Sequence, residues 1–303
     1  MERVIAIFGP TGVGKTEIAV ALAERLRADG EDPVAVSADA LQVYDGLPIL
    51  TGAATREQQE RLEHRLLGFV PLAEPFSAGA YARRAHAEID AALAAGRRPI
   101  VVGGTGLYLR AALAELDLRP PPAPGTRERL QAELGERWPE AMHAVLAARA
   151  PATAAAVAPA DGRRIVRALE LLEAGAQPPP PPGAASQLWT TETRHPTLLA
   201  GLVMDRAALA ERIDRRVDAM VAAGVIEEVR RADALGASAT ARKALGFAEL
   251  LAGDAAATKA RTRRYAKRQL TWMRKLPAVR TIDVTGREPS DVAEELHGMI
   301  RPA

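Results

Sequence analysis

The sequence contains no cysteine. Disulfides, thiolate chemistry and cysteine-held zinc are therefore excluded, and a reducing compartment is the natural setting. Aromatic residues make up only 4% of the 303 positions, so the core must be built mainly from aliphatic side chains. No apolar run approaches the ~18 residues needed to cross a bilayer. Met1 leads straight into a strand-like run, which predicts no leader peptide and a cytoplasmic protein. The histidines (His64, His86, His143, His195 and His297) show no metal-binding or catalytic spacing, and His64 reads as structural. Net charge is also small, at +2, which taken alone predicts no polyanionic partner.

What is present is an ordinary globular balance of 48% apolar and 26% charged residues. The length suffices for one large or two moderate domains with a real core. The positive charge is concentrated. Thr258 to Lys275 carries eight Lys/Arg and no acid, while the remainder has 32 basic and 38 acidic residues. A local patch of this kind sets the field at a surface. An acid-free helix is expected to repel itself unless a polyanion neutralises it.

The pattern along the chain predicts alternating strands and helices. Val4 to Phe8 is a continuous apolar run, as in a strand buried on both faces. A glycine loop and a helix over Glu17 to Ala28 follow. Pro33 to Ser37 and Pro99 to Val102 read as two more strands, with a helix over Ser77 to Ala95 between them. This order argues for a parallel sheet. The proline clusters at 120–124 and 178–182 bracket helical patterns without a convincing strand. Stiff proline connectors there imply an inserted helical lobe, placed at 116–195 within a core formed by 1–115 and 196–303. Leu198 to Met204 returns to the sheet. Asp205 caps a helix with Leu209, Ile213, Val217 and Val221 in one stripe. A basic helix over Thr258 to Leu276, a strand at Val279 to Val284 and a helix over Asp291 to Ile300 complete the chain.

A strand, then Gly9-Pro10-Thr11-Gly12-Val13-Gly14-Lys15-Thr16, then a helix is a phosphate-binding loop in its proper context. Glycines let successive N–H groups curl around an anion, and the helix start adds its positive end. Lys15 supplies a charge to phosphate oxygens, and Thr16 offers a hydroxyl to Mg²⁺. The loop by itself does not choose between ATP, GTP and other diphosphates. In an open parallel sheet, ligands sit at the carboxyl ends of strands, so Asp39 and Thr105 are the next candidates. Asp39 can be a magnesium ligand, a general base or a cap. Thr105, between glycines, can bond a phosphate or simply make a tight turn.

Together these segments resemble the tRNA dimethylallyltransferases, also called tRNA isopentenyltransferases, of bacterial type. Gly9 to Thr16 is similar to that family's phosphate loop, Ser37 to Tyr44 to its acceptor motif, and Val102 to Tyr108 to its third-strand motif. Arg163 to Glu170, Arg212 to Met220, Arg242 to Phe247 and Tyr265 to Trp272 extend the match in order through the chain. Ala40 stands where the acceptor motif has Ser, and 46–55 follows the family pattern only loosely, lacking its Asp and Lys. The resemblance implies a P-loop NTPase-like α/β core with an inserted all-helical lobe. It also implies transfer of a dimethylallyl group from its diphosphate to N6 of the tRNA adenosine adjacent to the anticodon, with Mg²⁺ assisting.

Carried over, Asp39 is the general base. Lys15, Thr16, the loop amides, Thr105 and Arg216 (favoured over Arg212) stabilise the leaving diphosphate. The implied RNA contacts are Asp39, Ala40, Leu41, Gln42, Thr105, Arg242, Lys243, Gly246 and Phe247 around the target nucleotide. Arg127, Arg163, Arg164 and Arg167 on the lobe, and Lys267 and Arg268 on the basic helix, would meet the rest of the tRNA. Tyr265 and Trp272 read as core anchors. Nothing in the sequence demands more than a monomer. Two other readings use some of these features. A small-molecule P-loop kinase using ATP explains the loop and Asp39 but leaves the basic helix idle. A non-catalytic RNA-binding nucleotide switch explains the helix but not Asp39 beside Thr105.

Overall fold

The computed structural model describes residues 3–119, 123, 125–176 and 187–300. Six parallel strands form one sheet in the order β3-β2-β4-β1-β5-β6. They are β1 (Val4–Phe8), β2 (Pro33–Ser37), β3 (His64–Arg65), β4 (Arg98–Gly103), β5 (Thr197–Val203) and β6 (Arg280–Asp283). The helices of this core are α1 (Lys15–Ala28), α2 (Pro48–Thr51), α3 (Arg56–Arg61), α4 (Ala78–Ala94) and α5 (Gly106–Leu113). After an intervening helical unit with α6 (Thr126–Arg149), α7 (Pro151–Ala155) and α8 (Gly162–Glu173), the core resumes. It continues with α9 (Arg206–Ala222), α10 (Val225–Ala234), α11 (Phe247–Leu251), α12 (Ala255–Met273) and α13 (Pro289–Ile300).

The central strand explains the arrangement. Every residue of β1 is buried, which requires cover on both faces. Ile5 and Ile7 join a cluster with Leu22 and Leu26 of α1 and Val292 and Leu296 of α13. Alternation then turns Phe8 to the other face, where its ring lies 6.0 Å from that of Trp272 on α12. Each fully buried aliphatic side chain stabilises by ~1.5–3 kcal/mol. On α9 the predicted stripe is buried at Leu209, Ile213 and Val217, while Val221 stays half-buried near the helix end. The short edge strand β3 was not read from the sequence. Its two residues give too little alternation to see, and His64 sits there with Nδ1 2.6 Å from the Leu62 carbonyl.

The chain divides into a larger unit, 1–116 with 188–303, and a smaller one, Asp117–Gln187. Residues 188–195 were expected in the lobe, but they belong with the core. The Trp189 ring lies 4.7 Å from that of Trp272, tilted by 52°, and Arg194 and His195 both bind Asp90 of α4, at 2.8 and 2.7 Å. Short polar segments carry no periodicity that would reveal such ties.

The smaller unit has no strand among its described residues. Leu130, Met142 and Leu146 of α6 pack on Ile165, Val166 and Leu169 of α8. Pro139 lacks an N–H, and Trp138 adopts φ 66°, so α6 is broken into two helical stretches there. The proline clusters expected to bracket this unit lie outside the described residues, apart from Ala123.

Candidate active site

The chain order places a crevice at the carboxyl ends of β1 and β4. β1 and β2 are consecutive in sequence but have β4 between them, and such a reversal of strand order is where open sheets bind ligands. A cavity of about 510 Å³ opens there. Its wall includes the phosphate loop, Asp39 after β2, Gly103 at the end of β4 and Gly104 after it, Arg212 and Arg216 of α9, and one face of α12.

Gly9 to Gly14 joins β1 to α1, which opens with Lys15 and Thr16, and Gly14 caps it at φ 96°, a conformation that suits glycine. The first N–H groups of a helix have no intrahelical acceptor, so those at the start of α1 are available to an anion. Lys15 folds over the loop and donates from Nζ to the carbonyls of Gly9 and Pro10, each at 3.0 Å. Burial pushes its pKa down to about 8, with Arg216 adding to the fall and Asp39 opposing it. Thr16 lines the cavity beside it.

Asp39 uses Oδ1 to accept the Leu41 N–H at 2.9 Å. This turn fixes the carboxylate's orientation. The capping and base readings are therefore compatible, because the bond occupies one oxygen only. The end of β2 is itself anchored, since Tyr81 donates its hydroxyl to the Ser37 carbonyl at 2.8 Å. Thr105 is the N-cap residue of α5, and its hydroxyl accepts the Ala40 N–H at 3.4 Å. It thus ties the loop after β4 to the one after β2, and the cavity wall beside it is made by Gly103 and Gly104.

Of the two arginines, Arg216 is the more enclosed. Burial lowers its pKa, opposed by Asp39. Its guanidinium lies against Gly52, where an added Cβ would overlap it. Gly52 ends α2 at φ 57°, so two separate demands select glycine there. The divergent segment 46–55 thus still builds the site. Glu228 of α10 accepts the N–H groups of Ile49 and Leu50 at 3.0 and 2.7 Å, and burial raises its pKa. At the other end of α2, Gln42 donates to the carbonyls of Thr51 and Gly52 at 3.3 and 3.1 Å. Gln42, expected to touch RNA, has its amide committed to the cavity wall, while Leu41 beside it faces the cavity.

Other expected RNA contacts need correction. Phe247 is only 2% exposed, so its ring is a core anchor and not a nucleotide contact. Gly246 supplies the left-handed cap of α11, and Arg242 pairs with Asp233 and covers the Phe247 ring. Of that segment, Lys243 and Leu245 face the cavity. On the smaller unit, Arg127 binds Glu170 through Nε at 2.5 Å and Nη2 at 2.8 Å, and Arg167 binds it at 3.0 Å. The Glu170 side chain is 0% exposed, and a buried carboxylate demands such partners. These two arginines have a structural task. Arg164 stands 3.5 Å from Asp161, and Arg163 is exposed.

The basic helix is also less bare than its sequence suggests. Lys259 and Arg263 pair with Asp218 and Asp214 of α9, and Arg261 pairs with Glu249 of α11. Self-repulsion is thus partly relieved from within the protein. Arg264, Lys267 and Arg274 are exposed with no acidic partner among the described residues. Arg268 lies over the Tyr265 ring at 5.4 Å and, with Tyr265, faces the cavity. Sequence reasoning placed α12 outside the chemistry, whereas Thr258, Thr262, Tyr265 and Gln269 form one wall of the site. Their spacing of three and four residues was the available signal.

The family profile described as IPP transferase matches residues 42–276. A tRNA dimethylallyltransferase of Thermobifida fusca is 42% identical over 92% of this chain and 89% of its own. One from Streptomyces avermitilis is likewise 42% identical, over 91% of this chain and 89% of its own. The crystal structure of a tRNA isopentenylpyrophosphate transferase from Bacillus halodurans superimposes with a TM-score of 0.70 at 32% identity, covering 99% of this chain and 96% of that one. With the phosphate loop, Asp39 and Arg216 gathered around one crevice of a P-loop core, the chain belongs to the tRNA dimethylallyltransferase family.

Proposed function

We propose that the cavity holds dimethylallyl diphosphate and the adenosine adjacent to the anticodon of a tRNA, and joins the prenyl group to N6. The observation that carries this reading is the facing of one carboxylate and two cations. Asp39, Lys15 and Arg216 all line the one cavity, and the Asp39 charge opposes the lowering of both cations' pKa by burial. Lys15, Arg216 and the amides at the start of α1 grip the diphosphate. As N6 attacks the first carbon of the prenyl group, the N–C bond forms and the C–O bond to diphosphate breaks. Asp39 accepts the N6 proton, with Oδ1 steadied by Leu41. Donors already aimed at the leaving oxygens stabilise their growing charge, and general-base assistance contributes ~10²–10⁴-fold. The adenine must leave its stack to reach this crevice.

Mg²⁺ fits as a shared ion. Among the described residues no three His, Asp or Glu side chains cluster as ligands, and a bound ion would take further donor oxygens from the diphosphate and water. Thr16, at the cavity wall, supplies the protein hydroxyl. Such sparse protein ligation suits magnesium, which keeps waters and binds substrate phosphates. When bound, the ion neutralises charge on the leaving group. No helix of the described residues is long and apolar enough to cross a membrane. The proposed setting is the cytoplasm, where tRNA is available, and the acting form a monomer.

The deciding assay incubates the protein with Mg²⁺, dimethylallyl diphosphate and unmodified tRNA, and measures isopentenyladenosine by mass spectrometry. Product bearing the prenyl group at that adenosine supports the reading. Failure to form it, with ATP-dependent phosphorylation of a small molecule instead, sinks it in favour of a kinase. A second measurement addresses the basic helix. Affinity for tRNA should fall steeply with salt, and Lys267→Ala with Arg268→Ala should flatten the log–log slope by ~1.5. An unchanged slope would place the RNA away from this helix.

A further inference from the structure

Gln269 is a buried polar side chain with no assigned task, at 5% exposure. It sits on α12, yet both its amide atoms reach into the crevice. Oε1 accepts the N–H of Thr11, in the phosphate loop, at 2.8 Å. Nε2 donates to the carbonyl of Gly104, in the loop after β4, at 2.7 Å. Only one orientation of the amide satisfies both partners, so its placement is determined by the network. The approach is close enough that a Cβ on Gly104 would overlap the Gln269 amide, and one on Gly106 would overlap the Trp272 ring. Gln269 and Trp272 lie three apart on one helix face. The glycines of the Gly103–Gly106 segment are thus explained in part by how tightly α12 presses on it.

We infer that Gln269 is a positioning residue for the donor diphosphate. It fixes the spacing between the two loops that flank the crevice, and it holds Thr11 so that the amides which follow face the anion. The inference rests on the diphosphate reading of that loop. The Thr11 N–H is spent inside the protein, which leaves the amides around Gly12, Gly14 and Lys15 to define the cradle. Gly104 precedes Thr105, so the same side chain sets where Thr105 stands relative to the loop. A shift of about 1 Å in such an arrangement can cost ~100-fold in rate.

The test compares Gln269→Met, Gln269→Glu and a packing control, Met273→Ala. Met matches Gln in length but bonds neither loop. Met273 is buried on the same helix and packs beside Gly201, so its truncation loosens α12 without touching either loop. The readouts are inorganic pyrophosphate affinity, KM for dimethylallyl diphosphate, tRNA affinity and Tm. Gln269→Met should weaken pyrophosphate binding and raise KM about tenfold or more, with tRNA affinity within about twofold of wild type. Met273→Ala should lower Tm without raising KM. Gln269→Glu adds a signature that plain destabilisation does not produce. Its ionised carboxylate repels the Gly104 carbonyl, whereas the protonated acid can accept from Thr11 and donate to Gly104. The defect relative to wild type should therefore shrink as pH falls from 8 toward 6. If wild type binds pyrophosphate and Gln269→Met binds it equally well, Gln269 is only packing and the inference is overturned while the diphosphate reading stands. If wild type itself binds no pyrophosphate, the diphosphate reading falls, and this inference with it.

Discussion

Asp39→Asn should lower turnover ~10²–10⁴-fold while tRNA affinity stays within about twofold. The substitution keeps the side chain's shape and can keep the oxygen that accepts the Leu41 N–H at 2.9 Å. The turn after β2 should therefore survive, and Tm should change little. What is lost is a group able to take a proton from N6 as the amine attacks. It also removes the negative charge that opposes the lowering of both the Lys15 and Arg216 pKa values. Those two cations then lose the counter-charge they share. Donor binding should hold or tighten slightly, because the incoming diphosphate no longer competes with a carboxylate. The measurement is single-turnover prenylation at saturating tRNA and donor, beside separate binding titrations. Near-normal turnover would make Asp39 a cap and nothing more. Loss of tRNA binding in step with turnover would make it an anchor for the nucleotide.

The legible parts of the site share one property: their signal is local. A phosphate loop is contiguous, and Asp39 follows directly from the rule that ligands sit where strands end, whereas Thr105, chosen by the same rule, bonds Ala40 and is not among the residues lining the cavity. The stripe of α9 shows its period within nine residues, Leu209 to Val217. The parts that were hidden depend on partners distant in sequence. Gln269 meets Thr11 across 258 positions, and nothing in a basic helix marks one glutamine among its neighbours. Glu228 reaches Ile49 and Leu50 across 179 and 178 positions, so the divergent segment 46–55 looked weakened when it is clamped from outside. The same blindness misassigned charge. Arg167 and Glu170 are three apart and could be paired by eye, but Arg127 joins them from 43 residues away. A cation is read from sequence as available, and only the fold says which acid already holds it.

That distinction also redraws the basic helix. Three of its cations pair with acids of α9 and α11, which fixes the helix where Thr258, Thr262, Tyr265 and Gln269 line the cavity. The exposed charge at Arg264, Lys267 and Arg274 points elsewhere. One helix therefore holds two loops of the cavity on one face through Gln269 and carries exposed positive charge at Arg264, Lys267 and Arg274. Its composition blurred the two roles because both use the same residue types.

Lys15→Ala should reduce turnover ~10²–10³-fold, the scale of losing one preorganised donor to developing negative charge, and its pH dependence should identify the cause. The wild-type lysine has its pKa pushed down to about 8 by burial, with Arg216 contributing and Asp39 opposing. A bound diphosphate favours the protonated amine, so the pKa in the complex must lie above this value. The linkage then has a definite sign. Below pH 8 the ammonium is already present and affinity for the donor is nearly flat. As pH rises through 8 the free protein loses its proton while the complex keeps it, and affinity falls by up to about tenfold per unit until the complex titrates too. The donor adds little slope of its own, since the last phosphate ionisation of an ester lies near 6. Titrating an unreactive analogue of dimethylallyl diphosphate from pH 6.5 to 10 reads this directly. Lys15→Ala should bind weakly with no step near 8. Lys15→Arg should recover part of the affinity, also without the step, because a guanidinium stays charged throughout. A step that persists in Lys15→Ala would assign the titration to another group and remove Lys15 from the diphosphate grip.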